Sequence, residues 1–202
     1  MIGPKEKRER SVGERLNLKG ERCATPKCAF VRKPYRPGVH GPRGRRRSLS
    51  EFGLQLKEKQ KFKLSYGLDE RNLKQMFAKA VKAKGSSAAK MVEFLERRLD
   101  NVIFRLGFAS SRGSARQLIV HGHIFVNNRR VRSPGYAVRT GDVITAKVDI
   151  EVLKKRKDIL RKYEPPAWLH LDKEKLEGRV LSPPEGETPP FEINLVIEAF
   201  SK

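Results

Sequence analysis

The sequence predicts an α+β protein: a helical subdomain, a unit in which two short helices pack on a small curled β-sheet, and a basic, extended amino-terminal segment. Three observations carry this. Between Leu95 and Gly122, apolar residues recur at helical spacing in two short runs. Between Ile124 and Val148 the pattern changes to β-prone runs separated by turn residues. Residues 1–50 hold fifteen Lys or Arg against four Glu, a composition too polar to build an ordinary core.

In the first segment, Pro34, Pro37, Gly38, Gly41, Pro42 and Gly44 interrupt regular structure up to Arg45-Arg46-Arg47. Such a chain is ordered mainly by what it binds. Tyr35 and His40, set among Arg36 and its neighbours, suit stacking on bases or packing on a ribose. From Ser48 the character changes. Ser48 or Ser50 caps a helix through Phe52, Leu54 and Leu56, and Lys57-Glu58-Lys59-Gln60-Lys61 continues it as a solvated or phosphate-facing surface. Phe62, Leu64 and Tyr66 lead to Gly67 as its stop. Asp69 opens a further helix, with Leu73, Met76, Phe77, Ala80 and Val81 at i, i+3, i+4, i+7 and i+8. Lys84 to Ser87 ends it, and Ser87 begins the next.

Leu95, Leu99, Val102, Ile103 and Leu106 then read as one helix, ended by Gly107 in the left-handed conformation. Ser110 or Ser111 caps a second, with Ala115, Leu118 and Ile119 as its apolar stripe and Gly122 as its end. The β-prone runs are Ile124–Val126, Arg129–Val131, Ala137–Val138 and Val143–Val148. Asn127-Asn128, Ser133-Pro134-Gly135 and Thr140-Gly141-Asp142 separate them as turns. Downstream, Val152, Leu153, Ile159, Leu160 and Tyr163 fit one more helix, stopped by Pro165-Pro166. Trp168 and Leu169 read as core anchors. The last run, Phe191 to Ile197, alternates like a strand and is short enough for a helix, so the pattern does not choose.

Charge supplies the function class. The 202 residues carry a formal net charge of +22 with 38% hydrophobic residues, enough for one or two small cores. From Gly107 to Gly141 there are six arginines (Arg112, Arg116, Arg129, Arg130, Arg132 and Arg139) and no Asp or Glu, a surface that needs a polyanion. Arg112 and Arg116 lie one helical turn apart beside the apolar stripe, and guanidinium groups grip phosphate bidentately. Ser111 and the free N–H groups of that helix start add a second anion site. If both arginines face solvent, replacing them with Ala leaves stability within ~1 kcal/mol. His121 and His123, flanking Gly122 at the helix end, read as RNA or capping contacts, not metal ligands. RNA is therefore the expected partner.

Other classes are disfavoured. No apolar run approaches the ~20 residues that span a bilayer, and the basic amino terminus lacks the apolar core of a secretory signal. No basic amphipathic helix with aromatic anchors suggests a membrane surface. Two cysteines point to a reducing compartment. No phosphate-binding glycine loop, zinc-protease motif or nucleophile elbow is present.

Through Arg98-Leu99-Asp100-Asn101-Val102, Arg105-Leu106-Gly107-Phe108-Ala109, Ala115-Arg116-Gln117-Leu118, His121-Gly122-His123-Ile124 and Gly141-Asp142, the central stretch resembles the S-four RNA-binding domain. That domain also occurs in pseudouridine synthases, tyrosyl-tRNA synthetases and a heat-shock protein, so the flanks decide the role. Arg22-Cys23, Lys33-Pro34-Tyr35-Arg36-Pro37-Gly38, His40-Gly41 and Leu56-Lys57-Glu58-Lys59-Gln60-Lys61 resemble the bacterial ribosomal proteins of the S-four family, from Ile2-Gly3-Pro4 to Leu195-Val196-Ile197-Glu198. The resemblance implies a basic rRNA-binding segment at 1–47, a helical subdomain at 48–94, the inserted S-four domain at 95–164, and a tail at 165–202 that returns to the helical subdomain.

It also implies a structural constituent of the small ribosomal subunit that grips a multi-helix junction of the rRNA early in assembly. Such a protein lies near the mRNA entry path, beside neighbouring small-subunit proteins, in cytoplasmic or organellar ribosomes of bacterial type. The RNA-binding set it suggests is Arg36, His40, Arg45, Arg46 and Arg47 in the first segment, and Lys57, Lys59 and Lys61 in the first long helix. In the S-four domain it is Arg98, Ser111, Arg112, Arg116, Gln117, His121, His123, Asn127, Arg129, Arg130 and Arg132. Gly113 and Ser114 stand where the family often has Arg and Gln, which removes one phosphate contact and weakens the helix by ~1 kcal/mol. The runner-up is an S-four-domain RNA-processing or quality-control factor. Arg98-Leu99-Asp100 is similar to the catalytic Arg-Leu-Asp of pseudouridine synthases, but about 50 residues after the domain are too few for that catalytic fold, and Asp100 reads as a structural partner of nearby arginines.

Many bacterial members of the family hold zinc near the amino terminus with four cysteines. Here Cys23 and Cys28 occupy the second pair of positions and Glu6 and Glu9 the first. Structural zinc sites are overwhelmingly built from Cys and His, because thiolates supply most of the affinity. The expectation is thus no cofactor, with Cys23 and Cys28 (and His40 as a substitute ligand) the weak candidates, and with the knuckle held by rRNA contacts.

Overall fold

The computed structural model describes residues 4–42, 48–147, 156–184 and 191–201. The chain forms two compact units, one of Met1–Met91 with Thr188–Lys202 and one of Val92–Glu187, so the second is inserted in the first in chain order. The α+β expectation is borne out.

In the first unit the basic segment is not extended throughout. Helix α1 (Lys5–Val12) buries Glu6, Glu9 and Val12 on one face and ends at left-handed Gly13. A 3-10 turn (Gly20–Ala24) and the single-turn helix α2 (Ala29–Arg32) follow, with Cys23 and Cys28 buried between them. Helix α3 (Glu51–Tyr66) starts at Ser50, whose hydroxyl accepts the Gly53 N–H at 3.2 Å. At its end Gly67 is left-handed, and Leu68 N–H donates to the Lys63 carbonyl at 3.0 Å, which satisfies an otherwise orphaned acceptor. Helix α4 (Glu70–Lys82) buries Leu73 and Ala80, leaves Met76 and Phe77 half-buried and exposes Val81.

Helix α5 (Ser87–Glu96) is followed by α6 (Leu99–Arg105), so the apolar repeat from Leu95 to Leu106 is two helices, not one. The break lies at Arg97-Arg98. There the chain is extended, Leu99 N–H donates to the Tyr136 carbonyl at 2.8 Å, and Val138 N–H donates to the Arg97 carbonyl at 2.9 Å. The run Ala137–Val138, expected as a strand, is this single bridge. Gly107 ends α6 with φ +78. Helix α7 (Arg112–Val120) is capped by Ser111, which accepts the Ser114 N–H at 3.2 Å, and closes at left-handed Gly122.

Strands β1 (Ile124–Val126) and β2 (Arg129–Arg130) form a hairpin through Asn127 and Asn128, whose φ values of +49 and +62 match the favoured two-residue turn. Strand β3 (Val143–Ala146) pairs with β1, helix α8 covers Lys157–Lys162, and β4 (Leu169–Asp172) and β5 (Glu177–Val180) complete an antiparallel sheet in the order β2-β1-β3-β5-β4. Val148, Val152 and Leu153, expected in a strand and a helix, lie outside the described residues.

The tail expected at 165–202 is thereby divided. Residues 169–180 belong to the sheet, because Leu169, Leu171 and Val180 alternate into its core and β5 completes the β3 ladder. Val102, Ile103, Leu106, Phe108, Ile119, Ile124, Ile144 and Leu160 share that core with Trp168, the expected anchor. Gly178 lies over Leu106: a Cβ there would overlap Leu106 Cδ1 and stand 2.8 Å from Cδ2. Gly178→Ala is expected to cost ~1–3 kcal/mol by overpacking, read as a lower urea midpoint, and an unchanged midpoint would show that the side chain yields freely.

Only the last segment returns to the first unit. Phe191 to Ile197, left open by its pattern, belongs mostly to helix α9 (Ile193–Ser201). Val196 is buried, Phe200 stacks on Phe77 at 5.3 Å between ring centres, and Phe191 meets Phe62 edge-on at 5.9 Å.

Candidate nucleic-acid interface

In the second unit the basic residues gather where α7 ends and the β1–β2 hairpin begins. His121 is exposed and His123 half-buried, their rings parallel at 6.0 Å. A Cβ on Gly122 would meet Arg130 Cδ at 3.2 Å and Arg132 Nε at 3.3 Å, so the glycine lets both arginines lie across the helix end, where the helix dipole favours cations. The Arg130 guanidinium stands 5.6 Å over the Phe125 ring. Arg129, Arg130, Arg132 and Gln117 are all exposed. Arg139, which is not among the residues that the resemblance suggests, is exposed as well. Asn127 is structural, since its amide donates to Asp142 Oδ1 at 2.9 Å and its oxygen accepts the Val143 N–H at 2.9 Å, tying the hairpin turn to β3.

The start of α7 is engaged internally. Arg98, expected on the RNA face, is buried: its guanidinium donates to both Asp100 oxygens, at 3.1 and 2.9 Å, beneath Gly135. Asp100, also buried, takes a second ion pair from Arg116 at 3.1 Å. Arg112 donates to Asn101 Oδ1 at 2.7 Å and lies 4.8 Å over the Phe104 ring. Fully buried Glu96 accepts from Asn101 at 2.7 Å and from Arg105 at 3.0 and 3.2 Å. Ser111 is spent on its cap. Arg112 and Arg116 are thus half-buried members of a polar network and not free phosphate clamps. Asp100 is the structural partner of arginines that its position suggests.

In the first unit the lysines of α3 turn to acids distant in sequence. Lys57 and Lys61 pair with Glu14 at 2.9 and 2.6 Å, and Lys61, buried, also bonds Glu58. Lys59 pairs with Glu70 at 2.9 Å and lies over Phe200. The expected phosphate-facing row is therefore largely neutralised within the protein. Burial raises the Glu14 carboxyl, but hydrogen bonds from Lys61 and Lys57 outweigh it and hold the group below its ordinary range. A carboxyl lowered in the folded state contributes stability above its unfolded pKa and loses it as pH falls through the folded value. Acid unfolding of Glu14→Gln is therefore expected to be shallower than that of the parent chain, and identical titrations would refute the pairing.

Arg8 and Arg36 have no side-chain partner among the described residues and flank a groove of 790 Å³ whose lining includes Val12, Leu64 and Leu68. His40 is exposed nearby in sequence. Tyr35 is covered by Arg10, which donates to its carbonyl at 3.0 Å and lies 5.0 Å from its ring centre. Arg45, Arg46 and Arg47 lie outside the described residues.

At the knuckle, Cys23 and Cys28 are unbridged and fully buried, as is Glu9. Glu9 Oε1 accepts the Leu18 N–H at 2.8 Å, and Glu6 Oε1 faces Arg22 Nε at 3.1 Å and Lys19 Nζ at 3.7 Å. Burial pushes up both the Glu9 carboxyl and the Cys23 thiol. Among the described residues no group of three or more His, Cys, Asp or Glu side chains is arranged to hold a metal ion. Two thiolates and two carboxylates depart from the Cys and His sets of which structural zinc sites are overwhelmingly built.

Two short helices on a curled sheet, with an acid-free rim of arginine and histidine, define an RNA-binding protein of the S4 type. A family model described as the S4 domain matches residues 97–144, and one described as the ribosomal protein S4/S9 N-terminal domain matches residues 1–96. Small ribosomal subunit protein uS4 of Gloeobacter violaceus is 46% identical over 99% of this chain and 98% of its own length. The proteins of the same name from Caldicellulosiruptor bescii and Thermus thermophilus are 46% and 44% identical, each over 100% of this chain and 98% of their own. The chain belongs to the uS4 family of small ribosomal subunit proteins.

Proposed function

We propose that this chain is a structural, non-catalytic constituent of the small ribosomal subunit that binds rRNA directly. The observation that carries the reading is the exposed rim of Arg129, Arg130 and Arg132 beside His121 and His123, in a stretch, residues 107–141, that has no acid and holds exposed Arg139 too. In this reading the protein grips a multi-helix junction of the rRNA, supports assembly of the subunit body, and lies near the mRNA entry path beside neighbouring proteins of a bacterial-type cytoplasmic ribosome. Gln117 and the rim residues contact RNA from the second unit, and Arg8, Arg36, His40 and the arginines at 45–47 contact it from the first. The commitment of buried Asp100 to Arg98 and Arg116 supports a role without catalysis.

Replacing Arg129, Arg130 and Arg132 together with Ala tests the reading. Removing each phosphate-binding side chain should reduce the salt slope of RNA binding by about one, while stability stays within ~0.5 kcal/mol per site because the side chains are exposed. Unchanged RNA affinity in a folded triple variant would refute it.

A further inference from the structure

At the positions where zinc-holding members of the family carry four cysteines, Glu6, Glu9 and Cys23 have partners within the protein, while Glu6 Oε1 and Glu9 Oε2 are buried without a hydrogen bond among the described residues. Glu9 is fixed by a main-chain donor, Leu18 N–H, at 2.8 Å, and Glu6 by Arg22 and Lys19. Cys23 Sγ accepts the Lys19 N–H at 3.4 Å, and the turn that carries the cysteines closes through Cys28 N–H to the Thr25 carbonyl at 3.1 Å. These bonds join α1, the 3-10 turn and α2 across the segment that a metal would otherwise clasp.

We propose that the amino-terminal knuckle closes without a metal ion, its first ligand pair replaced by ion pairing of Glu6 to Arg22 and Lys19 and by hydrogen bonding of Glu9 to Leu18. The substitution is chemically coherent. A carboxylate reaches basic side chains and N–H groups that a thiolate accepts from only weakly, and with two thiolates gone the site loses the soft donors that hold zinc. Glu9 then acts as an acceptor, a role that the neutral amide of glutamine fills too, whereas a metal ligand could not be exchanged that way.

The full chain separates the two accounts. Hydrogen exchange across residues 5–32 is followed with EDTA, with equimolar zinc and with cobalt, the last also read by its thiolate absorption band. The expected results are unchanged protection in all three and no thiolate band. Glu9→Gln should keep the Leu18 amide protected, while Glu9→Ala should expose it. Loss of protection with EDTA, a cobalt–thiolate band, or a Glu9→Gln chain that opens as fully as Glu9→Ala would overturn the proposal.

Discussion

Raising monovalent salt from about 50 to about 200 mM is expected to weaken RNA binding by the isolated chain ~10³–10⁵-fold, because ~6–10 phosphate contacts release condensed counterions. The size of the effect follows from which cations are unengaged. The hairpin rim supplies Arg129, Arg130 and Arg132, the loop before β3 supplies Arg139, and the first unit supplies Arg8 and Arg36. Lys57, Lys59 and Lys61 add little, since Glu14, Glu58 and Glu70 already neutralise them. Lysine substitutions on α3 should thus leave the slope nearly unchanged, and those at 129–132 should lower it. A flat dependence on salt would remove the electrostatic basis of RNA binding.

Asp100→Ala is expected to cost ~3–5 kcal/mol, the range for breaking a buried ion pair by deleting one partner. Arg98 would remain buried beneath Gly135 without its two carboxylate bonds, and Arg116 would lose its anchor. Chemical denaturation of the full chain measures it, and a loss under ~1 kcal/mol would show that water or another acceptor replaces the carboxylate. The same network revises the expectation for Arg112→Ala with Arg116→Ala. Removing them strips Asp100 and Asn101 of partners, so the double variant should lose more than the ~1 kcal/mol assigned to exposed charges.

Local chemistry was legible in the sequence. Ser50 and Ser111 cap as their positions suggest, Gly67, Gly107 and Gly122 end helices in left-handed conformation, and Asn127-Asn128 makes the hairpin. What stayed hidden depended on partners far along the chain. The break at Arg98 keeps the apolar phase of Leu95 to Leu106, so periodicity passes through it, and only the pairing with Ala137 exposes it. Strands β4 and β5 are four residues each, and β5 takes its place through β3 and through Gly178, a residue that reads as a strand breaker until Leu106 is seen against it. Arg98 and Lys61 looked like surface cations because the extended break that precedes α6 at Arg98 leaves no mark in the apolar spacing, and because Glu14 lies far from Lys61 in sequence.

If the α7–hairpin rim meets RNA in the assembled small subunit, ultraviolet crosslinking of subunits containing the chain, followed by mass spectrometric mapping, tests it most directly. The expected result is RNA adducts at His121, His123, Phe125 and the arginines at 129–132. Adducts confined to the β4–β5 hairpin, or none on this chain while it remains bound to the subunit, would contradict it.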